Sequence, residues 1–220
     1  MMIDPETYYE ENLKGKSAEQ ILSKIRGLKK EIGYLQNIVE NPYYKCQKHP
    51  SEAVQIMCLK LYLDRAKEAY EEIGCSYALS KAEARAKEFD NNLSYIEKIV
   101  FTEESFFGGF ASTTCSTVGG NIKIELNKSG NFSLALQTES VAYCSKVDFI
   151  RWLKEIRIGE WKIYYNGNRF DDLILDGTSW ELSITFSNST KPFKIRGYES
   201  YPYNFSKLKD LFSEILDSEY

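Results

Sequence analysis

The sequence predicts an α+β protein: an N-terminal antiparallel helical hairpin, then a C-terminal antiparallel sheet packed with one or two helices. Three observations carry this. Apolar residues recur every three or four positions in the first part of the chain, the spacing of a helix stripe. From Ile99 onward they recur every second position, the spacing of a strand with one buried face. The alternation is clearest from residue 176 to 216, where two strands, a Tyr- and Pro-marked bend and a closing helix follow one another. The predicted domains are a helical hairpin at 1–97 and an α+β domain at 98–220.

Asp4-Pro5-Glu6 opens a short helix, with Pro5 tolerated in the first turn. Ser17 and Gln20 form a capping box before a long helix. Its seam is Ile21, Ile25, Leu28, Ile32, Leu35 and Val39. Gly27 and Gly33 lie off that seam; each weakens the helix by up to about 1 kcal/mol, or else allows close packing. Asn41-Pro42 ends the helix, and Ser51 caps the next, with Glu52 in its first turn. A second seam, Ile56, Leu59, Leu63, Ala66, Tyr70 and Ile73, runs to a stop at Gly74. Two matching seams joined by a short loop form a hairpin, closing within one chain or between two, so a homodimer is open. Ser80 and Glu83 cap a charged helix ending near Asn91 or Asn92.

Lys98 to Phe101 reads as a strand, and Phe106 to Phe110 as a glycine-broken bend. Ile122, Ile124 and Leu126 alternate, a turn follows at 127–131, and Phe132, Leu134 and Leu136 alternate again. Asp148 is expected to cap a helix holding Phe149, Trp152, Leu153 and Ile156, closed by Gly159. Trp161, Ile163 and Tyr165 alternate, and Leu173-Ile174-Leu175 leads into the Asp176-Gly177 turn. Trp180, Leu182, Ile184 and Phe186 face one side of a strand, with Phe193 and Ile195 on its hairpin partner. Asn204 is expected to cap a final helix striped by Phe205, Leu208, Leu211, Phe212 and Ile215.

The chain has 220 residues, of which 43% are hydrophobic and 27% charged, enough for one large or two small folded domains. No apolar run reaches the roughly 20 residues of a membrane span, and the acidic N-terminus is not a signal peptide. The formal charge of -4 argues against a nucleic-acid partner, because phosphate neutralisation needs clustered Lys and Arg. Five scattered cysteines suit a reducing cytoplasm better than a disulfide framework.

Chemistry-bearing candidates are few, and each has a plainer structural reading. His49 is the only histidine, and Cys46-x-x-His49 with Cys58 and Cys75 lacks the second close pair of a zinc site. Asp171, Asp172 and Asp176 could hold a divalent ion, but Asp176-Gly177 already has a turn to make. The pairs Gly108-Gly109 and Gly119-Gly120 lack the order of a phosphate loop and read as bends. No catalytic residue, metal ligand or cofactor is assigned. Tyrosine is the remaining unusual feature, with sixteen in the chain. Tyr buries area at low entropic cost and keeps a polar tip, which suits interfaces. Tyr43, Tyr44, Tyr198, Tyr201 and Tyr203 are therefore the expected contact residues.

The opening MIDPETYYEENLKGKSAEQILSKIRGLKKEIG, the segment HPSEAVQIMC with YLDRAKEA, and the closing DGTSWELSITFSN, KPFKIRG and YPYNFSKL resemble a family of hypothetical proteins from gut Gram-positive anaerobes. The resemblance spans nearly the whole chain and implies a bacterial source, but no activity, cofactor or site residue. The expected function is a non-enzymatic cytoplasmic interaction module whose partner is another protein. The alternatives are an acidic inhibitor of a bacterial defence nuclease, of anti-CRISPR kind, with carboxylates gathered on one face, and a metal-dependent enzyme.

Overall fold

A computed structural model describes residues 3–46, 49–105, 108–130, 137–170 and 176–218. It is α+β, and the chain divides into two compact units, Met1–Leu79 and Ser80–Tyr220.

The first unit contains α1 (Pro5–Asn12), α2 (Ala18–Val39) and α3 (Glu52–Glu72). Asp4 caps α1 by accepting the N–H groups of Glu6 and Thr7, and Ser17 with Gln20 makes the expected capping box on α2. Helices α2 and α3 form the hairpin. Ile21, Ile25, Leu28, Ile32 and Leu35 are buried along one, and Ile56, Leu63 and Ala66 along the other. Burying each large aliphatic residue stabilises the unit by about 1.5–3 kcal/mol. The seams therefore close within the unit, and Ile73, at the C-cap of α3, is exposed. A Cβ at Gly27 or Gly33 would meet nothing within 4 Å, so neither glycine serves close packing. Helix α1 lies on α3 through a stack of Tyr8 on Tyr62, with ring centroids 4.4 Å apart. The Tyr62 hydroxyl donates to the Ile3 carbonyl (2.6 Å) and accepts the Ile3 N–H (3.0 Å).

The second unit begins with α4 (Lys81–Asn92), so the boundary falls after Leu79 and not after residue 97. The reason is Phe89. It is buried, and it packs against Phe186 and Phe193 of the sheet at 6.2 and 4.4 Å between centroids.

Seven strands follow: β1 (Ile96–Ser105), β2 (Gly109–Val118), β3 (Asn121–Ser129), β4 (Gln137–Ser145), β5 (Tyr164–Asn166), β6 (Ser179–Phe186) and β7 (Phe193–Tyr198). They lie in the order β4-β3-β2-β1-β6-β7-β5, antiparallel throughout except that β5 runs parallel to β7. Helices α5 (Lys146–Ile156) and α6 (Phe205–Asp217) complete the unit. Ile99, Phe101, Cys115, Ile122, Ile124, Ala142, Leu182, Ile184 and Ile195 form the buried face of the sheet, packed with residues of α4, α5 and α6.

Several local expectations change. Ser145, not Asp148, precedes α5, whose first turn contains Asp148. That helix closes on Arg157 in the left-handed region (φ 59°), not on Gly159. Gly159 is needed for another reason: a Cβ there would lie 2.9 Å from the Phe89 ring and 3.0 Å from the Ala86 carbonyl. Asn204 stands at the N-cap of α6 but makes no side-chain cap. Its side chain accepts the Trp161 indole N–H (3.0 Å) and donates to the Ile156 carbonyl. Strand β5 is shorter than the predicted run, and Ile163 lies outside it, exposed. The Phe106-Phe107 part of the predicted bend, the Phe132–Leu136 alternation, Leu173-Ile174-Leu175, Asp171 and Asp172 lie outside the described residues.

Candidate functional site

Within the second unit, α4 and the β6–β7 turn enclose a cleft of about 390 Å³, within the range of ligand pockets. Its apolar lining is Phe89, Phe186, Phe193, Pro192 and Ile163. The turn is held against the end of α4 by one side chain. The Asn92 Oδ1 accepts the Asn188 side-chain N–H (2.7 Å) and the Thr190 hydroxyl (3.1 Å). Ser189 adopts a positive φ of 62°, and the Thr190 N–H returns to Asn188 Oδ1 at 3.2 Å. Fixing the turn fixes Lys191 and Pro192 at the cleft margin.

Arg85 gives the cleft its chemistry. One Nη donates to the Trp161 carbonyl, and the guanidinium carbon sits 5.7 Å from the centre of the Phe193 ring. Its Nε–H is buried and finds no acceptor among the described residues. Among the described residues Arg85 makes no ion pair. Burial pushes its pKa below the usual guanidinium value, with only Tyr165 acting in the opposite sense. A buried donor left unmade costs about 1–3 kcal/mol. Lys191 and Lys194 also line the cleft, against one carboxylate, Glu88. A chain of net charge -4 thus carries a locally basic, aromatic-walled recess.

Compared with known protein families, curated proteins and solved structures, the chain matches none.

The five predicted contact tyrosines are divided between the two units. Tyr43 and Tyr44 belong to the first unit, and Tyr198, Tyr201 and Tyr203 to the second. Tyr43 is exposed. Tyr44 donates to Glu52 Oε2 (2.6 Å), and burial followed by that bond pushes its hydroxyl pKa up. Tyr198 accepts the Gly177 N–H (3.1 Å), bracing the Asp176–Gly177 turn. Tyr201 stacks on Trp180 at 6.3 Å and lies 4.9 Å from Phe205, and its hydroxyl is pushed up to about 12, first by burial and then by Glu199. Tyr203 is half-buried.

Among the described residues no three His, Cys, Asp or Glu side chains are grouped to hold a metal ion. Cys46, His49 and Asp176 are exposed, and Cys58 and Cys75 are half-buried. No described helix is long and apolar enough to cross a membrane. The solvent face of the sheet carries Lys98, Lys123, Lys194 and Arg196 together with Glu104, Glu125 and Glu181, and Glu181 stands directly opposite Arg196. That face has mixed sign. Sequence reasoning missed Arg85, because nothing in KAEARAKEFDNN distinguishes it from the other solvated cations of α4. The one available signal was Phe89, four residues on and the only aromatic residue of that helix.

Proposed function

We propose that this is a non-enzymatic protein-interaction module of the cytoplasm, and that the α4/β6–β7 cleft receives an acidic segment of its partner. The segment inserts an apolar or aromatic side chain between Phe89 and Phe193 and brings a carboxylate to Arg85. The observation that supports this most is the under-satisfied guanidinium of Arg85, half-buried beside an apolar recess. A carboxylate balances the guanidinium charge, which no carboxylate of the described residues pairs with, and hydrogen bonds to charged groups contribute about 1.5–3 kcal/mol. The lysines at the margin raise the encounter rate with an acidic chain and make it salt-dependent.

The test is a peptide array of short sequences pairing Asp or Glu with Phe, Tyr, Trp or Leu, followed by titration of the best binder. Saturable binding that weakens with salt is expected, with an affinity at least tenfold lower for Arg85→Met. Arg85→Met removes a buried cation with one unmade bond but also the donor to the Trp161 carbonyl, so its unfolding midpoint is measured beside its affinity to show that the variant is folded. Equal binding by Arg85→Met, or no binder in the array, would sink the proposal.

A further inference from the structure

The two margins of the sheet are built differently. Strand β5 closes one side with only three residues, Tyr164–Asn166, too short to template another chain. Strand β4 closes the other over nine residues, Gln137–Ser145, and among the described residues no strand lies beyond it. An outermost strand presents a row of unpaired N–H and C=O groups, which proteins commonly blunt with Lys, Pro or a bulge. Strand β4 contains neither Lys nor Pro. Its register against β3 shifts between Leu126 and Asn127, whose partners are Ser140 and Thr138, so the bulge falls at Glu139, its one charged residue. From Ser140 to Ser145 the strand is regular and uncharged.

The solvent face of that regular stretch is apolar. Val141 is 38% exposed and Tyr143 50% exposed. Val147, just beyond the strand, and Val118, whose partner Asn121 pairs with Ser145, add exposed aliphatic surface at the same end. Exposed valines and tyrosine at a regular, uncharged outer strand are a binding surface or an aggregation hazard.

We infer that β4 is the interface of a homodimer, in which two copies pair β4 to β4 antiparallel about a two-fold axis at Ala142 and join their sheets into one. The occupant is a second copy because the strand is complementary to itself about that point. Val141 then opposes Tyr143 of the other copy, twice over, and aromatic with β-branched residues is a favourable cross-strand pair. Ala142 opposes its own equivalent, Ser140 opposes Cys144, and the two copies of Glu139 never face one another. This interface is separate from the cleft at Arg85, and neither proposal rests on the other.

The decisive experiment measures mass in solution for two charge variants. In Val141→Lys/Tyr143→Lys, lysines face lysines across the axis; in Val141→Glu/Tyr143→Glu, carboxylates face carboxylates. The wild type should have twice the mass of one chain, each variant alone the mass of one, and an equimolar mixture of the two should recover the doubled mass. Recovery also shows that both variants are folded, since only intact sheet margins can pair. A monomeric wild type at about 100 μM, variants that stay dimeric alone, or a mixture that stays monomeric would each overturn the inference. Hydrogen exchange of the wild type provides a second measurement: amides of 140–145 should slow as concentration rises, and unchanged exchange would count the same way.

Discussion

Gly197 of β7 stands directly opposite Trp180 of β6, and the indole occupies the space that a Cβ at position 197 would need. The same Cβ would lie 2.7 Å from the Ser200 carbonyl, which accepts the Trp180 indole N–H at 3.0 Å. One missing methyl therefore lets the largest side chain of the hairpin lie flat across its partner strand. Phe205 at 4.7 Å and Trp161 at 6.4 Å then complete an aromatic cluster around Trp180.

Gly197→Ala should cost about 1–3 kcal/mol, because a packed core relieves an added methyl only by shifting side chains and backbone. Denaturant unfolding followed by tryptophan fluorescence reads this directly. A variant as stable as the wild type would show that the indole is not held where the structure puts it.

Asn204→Ala should cost about 1–3 kcal/mol, since it strands the Trp161 indole N–H and the Ile156 carbonyl in the core. Helix content should not change, because Asn204 makes no side-chain cap on α6. Loss of near-UV signal with intact far-UV signal is the expected pair of results. Fraying of α6 instead would restore the capping role.

Gly27→Ala and Gly33→Ala should each stabilise the first unit by about 0.5–1 kcal/mol. Both glycines lie in α2, and a methyl at either meets open space. Slower exchange of the α2 amides and a higher unfolding midpoint are the measurements. Destabilisation by either would mean that something packs against that position.

Alkaline pH should weaken the second unit through Cys115. Burial pushes its thiol pKa far above the ordinary value, with Cys144 adding to the effect. The folded state therefore keeps a proton that the unfolded chain releases above about pH 8.5. The stability linked to this group is intact below that pH and falls as pH rises through it, by up to about 1.4 kcal/mol per pH unit. Cys115→Ala should start less stable, from its cavity, and lose less between pH 8 and pH 9.5. Parallel profiles for the two proteins would refute the assignment.

The sequence determined the hairpins and their faces. The α2 seam, the β6 alternation and the α6 stripe are periodic because each element buries one side only, and period follows from geometry. Strand β2 was illegible for the matching reason: GFASTTCSTV points Thr113 and Cys115 inward and small hydroxyls outward, so no apolar alternation marks it. What the tertiary structure decided is which unit α4 joins, what Asn204 binds, and that Arg85 lies beside an apolar cleft with an N–H unmet. Each depends on residues tens of positions apart meeting in space, and local spacing holds no record of such meetings.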